Sequence, residues 1–161
     1  MAFNPHPNGG GLVEDTAFVA ETAFVGKDAL VKEYACVLDN ARIEGHALVY
    51  GSARVSGDAF VFDKARVCGE ALIFDKAQVY GKARVSGNAR VSGNAEVFDN
   101  AQLSGSTWVF GRALVFDNVI VSDYATVTGD ALVFGNARVF DSGEVSGTAK
   151  VFERAHVFDN A

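Results

Sequence analysis

Residues 83–94 read ARVSGNARVSGN, which is the same six residues twice in succession. The repeat continues in both directions from this stretch. Residues 11–160 divide into 25 hexads without an insertion, beginning with GLVEDT and ending with AHVFDN, and Ala161 follows. A short period kept over most of a chain is typical of a solenoid, in which each repeat stacks on copies of itself.

The first four positions of the hexad predict a short strand. Ala occupies position one and Val position three in almost every hexad, while positions two and four vary. This alternation is typical of a strand with one buried face, and Val suits such a surface. We therefore expect the Ala and Val columns to form the core. The exceptions are Gly11, Thr107, Val119 and Gly143 at position one, and Ile43, Ile73 and Leu103 at position three.

The last two positions predict a corner. Position five is Gly or an acid in every hexad except the one with Lys27, and position six is often Asn. Gly and Asn adopt positive φ at low cost, so each hexad is expected to be a strand of three to four residues followed by a sharp turn. The recurring Asp at position five is expected to form hydrogen bonds at the corner, because it is too frequent for a catalytic acid.

A longer period of 18 residues is visible at position four. Every third hexad from residue 62 carries an aromatic residue there, whereas the other two phases are mixed. Three hexads per coil explain this spacing, and they predict a three-sided prism of slightly more than eight coils. At about 4.8 Å per stacked strand the prism is roughly 40 Å long. The aromatic column comprises Phe62, Tyr80, Phe98, Phe116, Phe134 and Phe152.

These features resemble the hexapeptide-repeat family. Its motif is an aliphatic residue, often a small or acidic residue, two free positions, a small residue and a free one, and residues 85–90, VSGNAR, match it in register. The resemblance implies an all-β, left-handed parallel β-helix of triangular cross-section, with about eight coils of 18 residues. Residues 1–10 are then a leader that could cap the first coil, and residues 11–161 are the hexapeptide-repeat β-helix. The aromatic residues at position four resemble uncharacterised bacterial and phage members more than the enzymes.

The resemblance also implies an alternative function. Many members are acyltransferases that use acyl-CoA, with a catalytic His, an extruded loop and sites between subunits, and others resemble γ-type carbonic anhydrases. The unbroken frame leaves no room for a loop, and the His residues do not match the three-His zinc site. His46 beside Glu44 could act as a general base, but a solvated corner residue is the favoured interpretation. His6 and His156 are expected at the surface.

The sequence therefore predicts a non-enzymatic structural or protein-binding scaffold, with no catalytic, cofactor or metal residue. An acyl-CoA-dependent enzyme with a site between subunits is the alternative. The scaffold is expected to associate with itself through the aromatic column, through the end at Ala161, where no cap is visible, or through both. A protein or carbohydrate partner and simple bracing of the strands remain alternatives. The candidate interface residues are Phe60, Phe62, Tyr80, Phe98, Phe116, Phe134 and Phe152.

Composition bears on the partners and the compartment. The net charge of −6 disfavours binding to nucleic acid, since an acidic surface repels phosphates. No signal peptide or apolar run of about 18 residues is visible, so no membrane association is expected. Cys36 and Cys68 should lie on different sides of the prism, and unpaired thiols favour a cytoplasmic location.

Overall fold

The chain forms a parallel β-solenoid with three sheets. A computed structural model describes residues 2–159, and these contain 26 strands and no helix. The strands are β1 (Phe3–Pro5), β2 (Leu12–Glu14), β3 (Phe18–Val19), β4 (Phe24–Val25), β5 (Leu30–Val31), β6 (Cys36–Val37), β7 (Arg42–Ile43), β8 (Leu48–Val49), β9 (Arg54–Val55), β10 (Phe60–Val61), β11 (Arg66–Val67), β12 (Leu72–Ile73), β13 (Gln78–Val79), β14 (Arg84–Val85), β15 (Arg90–Val91), β16 (Glu96–Val97), β17 (Gln102–Leu103), β18 (Trp108–Val109), β19 (Leu114–Val115), β20 (Ile120–Val121), β21 (Thr126–Val127), β22 (Leu132–Val133), β23 (Arg138–Val139), β24 (Glu144–Val145), β25 (Lys150–Val151) and β26 (His156–Val157).

Every third strand pairs with the next along the axis, so the chain winds around three sides. The first sheet has the order β1-β2-β5-β8-β11-β14-β17-β20-β23-β26. The second sheet runs from β3 to β24 and the third from β4 to β25, each with eight strands. Parallel partners are 18 residues apart, as in the pair of Val61 with Val79. The prediction of a parallel solenoid with three hexads per coil and about eight turns is confirmed. The left-handed winding implied by the family resemblance stays a prediction.

The core consists of the two columns that the hexad pattern placed inside. Val at position three and Ala at position one are fully buried along most of the axis, and Ile43, Ile73 and Leu103 are the largest buried side chains. Full burial of a Val side chain contributes about 1.5–3 kcal/mol of transfer free energy. Thr107 is a polar exception, because its hydroxyl is buried and has no hydrogen-bond partner within residues 2–159.

Backbone hydrogen bonds join the coils beyond the strands. Each strand of the repeat is two residues long, apart from β2 with three, so the paired segments are shorter than the three to four residues expected. The bonding nevertheless continues into the corners. Phe60 and Phe62 donate their N–H groups to the carbonyls of Ala77 and Val79, and Lys64 at the corner donates to Gly81. Each hexad therefore bonds to the next coil at positions two, four and six, and the short strands are held along their whole length.

The corners depend on position five and not on Asn. Every position five from Glu33 to Glu153 has positive φ, whether it is Gly or an acid. Asn at position six has ordinary φ, so the expectation that Asn supplies the left-handed conformation is wrong. Asn instead forms ladders along the corner, as in the bond from the Asn100 amide to the Asn118 carbonyl oxygen at 3.3 Å. Left-handed backbone is costly for residues other than Gly and Asn, so the acids need a compensating interaction.

The carboxylates supply that interaction by bonding to the next coil. Asp75 accepts a hydrogen bond from the backbone N–H of Gly93 at 3.0 Å, and Asp39 accepts one from Gly57 at 2.9 Å. The same bond joins Asp63 to Gly81 and Asp117 to Gly135. The prediction that position-five Asp forms corner hydrogen bonds is therefore confirmed.

The leader lies against the first coil. Strand β1 pairs antiparallel with β2, and the carbonyl of Asn8 accepts a hydrogen bond from the N–H of Val25 at 3.1 Å. Gly9 has φ of 112°, and a Cβ there would lie 2.3 Å from the Val25 carbonyl oxygen, so only Gly fits. His6 is 8% exposed, with Nδ1 3.2 Å from the Asn8 carbonyl oxygen, so the expectation that it lies at the surface is wrong. The leader folds back over its own turn and encloses the ring.

Within residues 2–159 the chain has no helix that is long and apolar enough to span a bilayer.

Replacing Val61 with Asp tests the inward orientation of position three. Val61 is fully buried, and a carboxylate in the Val column would have no partner, so we expect loss of more than about 4 kcal/mol and unfolding of several coils. Circular dichroism melting measures this. Gln102→Asp, at an exposed position two, is the control and should melt close to the wild type. A wild-type melting temperature for Val61→Asp would contradict the orientation.

Replacing Asp75 tests the corner bond. Asp75→Ala removes the acceptor for the Gly93 N–H and leaves a left-handed residue without compensation, so we expect a loss of about 1–2 kcal/mol. Asp75→Asn keeps an acceptor oxygen and tolerates this conformation, so its stability should stay close to the wild type. Urea unfolding measures both. An Ala variant as stable as the Asn variant would show that the bond does not support the corner.

Candidate interaction surface

The six aromatic residues predicted to share one side form a continuous stack, which we call the aromatic ladder: Phe62, Tyr80, Phe98, Phe116, Phe134 and Phe152. Each ring follows a strand of the third sheet. Successive ring centroids are 4.7, 4.8, 4.9, 5.3 and 5.4 Å apart, and the rings are within 13° of parallel. Coils spaced about 4.8 Å apart place rings of the same column at stacking distance, so the register alone sets this geometry.

Stacking limits what the ladder presents to solvent. The rings cover one another's faces, and the ladder is half-buried except for Phe152, which is 46% exposed. The accessible part is therefore a row of ring edges and not a set of separate rings. Phe60, the remaining candidate interface residue, packs on Phe62 with a centroid distance of 4.2 Å and widens the ladder at one end.

Position two supplies a second row beside the ladder on the third sheet. Leu114 and Leu132 are register neighbours in this row, and both are half-buried. Glu96 precedes them and Lys150 follows them along the axis. The apolar pair therefore lies between an acid and a base, each next to the ladder.

Tyr80 ties the two rows together. Its hydroxyl donates a hydrogen bond of 2.8 Å to the Glu96 carboxylate. Burial, followed by this bond, raises the pKa of the Tyr80 phenol above its usual value. Because the pKa is raised in the folded protein, the stability that Tyr80 contributes is present below about pH 10 and is lost as the pH rises through the folded pKa.

The structure separates the residues considered for catalysis. His46 is exposed at a corner, and the adjacent Glu44 carboxylate pairs with the Arg42 guanidinium. His156 lies on the first sheet, where its ring meets Phe140 edge-on at 5.9 Å. The part of the chain that the structure describes contains no group of three His, Cys, Asp or Glu residues able to hold a metal. Cys36 is on the second sheet and Cys68 follows a strand of the first, so the prediction that they lie on different sides is confirmed.

Position two also carries an 18-residue pattern on the first sheet. Arg66 and Arg84 are register partners there, and a groove passes between them and a column of small polar side chains. Their spacing in the sequence is a signal for this pair, but only after position two is sorted by side of the prism.

One comparison with known proteins gives a match. A family model described as YdcK Beta solenoid repeat matches residues 77–93 and 83–97, segments that begin one hexad apart. The matched residues include β13 to β16. No curated protein and no solved structure matches the chain. The chain is thus similar to a β-solenoid repeat over these residues, and the likeness to the hexapeptide-repeat family stays a prediction.

A spectroscopic titration tests the environment of Tyr80. Absorbance near 295 nm follows phenol ionisation, and the wild-type curve minus that of Tyr80→Phe isolates Tyr80. The phenylalanine keeps the stack, so the fold should be unchanged. We expect the midpoint of the difference curve to lie above pH 10, and Glu96→Gln should lower it by removing the anionic acceptor. A midpoint near pH 10 in the wild type would contradict the Tyr80–Glu96 contact.

Proposed function

We propose that this protein is a non-catalytic β-solenoid scaffold that associates with a second copy of itself through the third sheet. The observation that carries the proposal is the aromatic ladder beside the Leu114–Leu132 pair, which lies between Glu96 and Lys150. Identical faces of this kind are self-complementary, as two-fold symmetric dimers require.

The order of side chains favours an antiparallel arrangement. A two-fold axis parallel to the strands, located between the coils of Leu114 and Leu132, brings position two of one copy against position two of the other. Leu114 then meets Leu132 of the second copy, and Glu96 meets Lys150. In the ladder, Phe98 faces Phe152 and Phe116 faces Phe134. The axial order acid, leucine, leucine, base thus becomes two opposite-charge pairs around an apolar centre.

The size of the contact sets its strength. Four coils overlap in this arrangement, which is about 19 Å along the axis. A hexad spans at most about 20 Å across the side of the prism. The contact is therefore at most about 400 Å² per copy, half of the roughly 800 Å² in a standard stable interface. We expect a weak dimer whose population rises with protein concentration.

The other predicted routes have less support. Strands β24, β25 and β26 lie at the ends of their sheets within the described residues, and stacking through that end stays a prediction. The acyl-CoA-dependent alternative also stays a prediction, and no contact within residues 2–159 favours it over a scaffold.

Charged substitutions in the ladder test the dimer. Phe98→Glu combined with Phe116→Glu places carboxylates against the apolar centre, so the variant should remain monomeric at concentrations where the wild type dimerises. Sedimentation velocity across a concentration series measures this. Phe74→Glu combined with Phe110→Glu changes the same hexad position on the second sheet, and this control should dimerise like the wild type.

The register of the dimer is tested by exchanging charges. Lys150→Glu turns two attractive contacts into repulsive ones and should weaken the dimer about tenfold. Combining it with Glu96→Lys should restore the wild-type affinity. A wild type that stays monomeric at every concentration contradicts self-association. A dimer that tolerates both Phe replacements contradicts the role of the ladder, and a failure of the charge exchange to restore affinity contradicts the antiparallel register.

A further inference from the structure

The first sheet carries a groove with a floor of small polar side chains. At position four, Cys68, Ser86 and Ser104 follow one another along the axis, with Tyr50 one coil before them. They line a cleft of about 260 Å³, together with Arg66, Arg84, Gln102, Leu103 and Ile120. A cleft of this size holds a small molecule. It is on a different side of the prism from the aromatic ladder.

Two arginines stand opposite each other at the edge of this cleft. Arg66 of β11 and Arg84 of β14 are register partners, so their side chains leave adjacent coils at the same position. Neither guanidinium forms an ion pair or a hydrogen bond with any residue from 2 to 159. Lys64 and Lys82 lie at the adjoining corner, two residues before each arginine, and both are exposed. Four positive charges therefore occupy adjacent coils of a chain with a net charge of −6.

Such a pair is unfavourable without a counter-charge. Like charges directly opposite each other on adjacent strands repel and destabilise the sheet. Other cations of the protein are compensated: Arg42 pairs with Glu44, and Arg112 pairs with Asp130 at 2.8 Å. No acid lines the cleft beside Arg66 and Arg84.

The second sheet offers a contrasting pair of arginines. Arg54 and Arg90 also occupy position two, but Leu72 lies between them in the register, and the recess they line includes Glu70. Further along the first sheet, the next recess contains Arg138 but also Asp123. Adjacent arginines in a groove without an acid are therefore confined to the coils of Arg66 and Arg84 within the described residues.

We propose that the cleft binds a small hydroxylated molecule through its phosphate group, which the guanidinium groups of Arg66 and Arg84 hold together. Guanidinium groups match phosphate oxygens in geometry and bind them through paired, charge-assisted hydrogen bonds. Two of them one coil apart, about 4.8 Å, can bind oxygens of a single phosphate. Lys64 and Lys82 add attraction from the corner. The phosphate supplies the counter-charge that the register places nowhere else.

The floor of the cleft suits the remainder of such a ligand. The Ser86 hydroxyl donates to the Leu103 carbonyl at 3.2 Å, so its lone pairs are directed to accept from a ligand hydroxyl. Ser104 and the Gln102 amide provide both donors and acceptors beside it. The Tyr50 ring closes one end, where a sugar or polyol face can pack. Binding in the cleft is independent of self-association, because the ladder lies on the third sheet.

Calorimetric titration with inorganic phosphate, at matched ionic strength in chloride, tests the anion site. The wild type should bind, and Arg66→Gln combined with Arg84→Gln should weaken the dissociation constant at least tenfold. Arg54→Gln combined with Arg90→Gln removes the same charge from the second sheet and should bind as the wild type does. Equal affinity in the wild type and the Arg66/Arg84 variant, or no binding by the wild type above chloride, would overturn the proposal.

Two further measurements keep the test specific. A hexose phosphate should bind more tightly than inorganic phosphate, and equal affinities would overturn the role of the serine floor. Without phosphate, Arg84→Gln should melt at or above the wild-type temperature because a repulsion is relieved, and a lower melting temperature would contradict the absence of a protein counter-charge. The monomeric Phe98/Phe116 variant should bind phosphate with wild-type affinity, so failure of the dimer does not affect this result.

Discussion

The stacking of each residue on the residue 18 positions later is the constraint on which the rest of the structure depends. Two-residue strands are too short to be stable alone, so each coil is held by the next through hydrogen bonds at positions two, four and six. The buried Val and Ala columns keep this register, because a shift by one residue would bring outward side chains into the core. Everything on the surface then repeats at the spacing of the coils, and any column of like residues becomes a ladder.

This constraint gives the same pattern different consequences on different sides. Aromatic residues at coil spacing stack, so the column from Phe62 to Phe152 becomes one continuous apolar strip. Carboxylates at position five meet the N–H of the next corner, which compensates the left-handed backbone they occupy. Arginines at coil spacing can only repel, so Arg66 and Arg84 are favourable only with an anion between them. In each case a side chain interacts chiefly with the same position of the adjacent coil.

Much of this follows from the sequence because the hexad never slips. Position three could be placed in the core and Tyr80 beside Phe98 without coordinates, since both follow from counting. The corners could not be anticipated as well. Asp75 and its equivalents are stabilised by a bond to the next coil, so their positive φ depends on a contact that local propensity does not include. The leader was also beyond the pattern: it has no repeat, and the burial of His6 results from its own turn against the first coil.

The most direct measurement of the central register is the set of nuclear Overhauser contacts between aromatic rings in protein labelled at Phe and Tyr. The account predicts ring-to-ring contacts between residues 18 apart, from Phe62 to Tyr80, from Tyr80 to Phe98 and onward along the column, consistent with centroids 4.7–5.4 Å apart. Absence of the contact between Tyr80 and Phe98, together with contacts between rings at another spacing, would contradict the 18-residue coil.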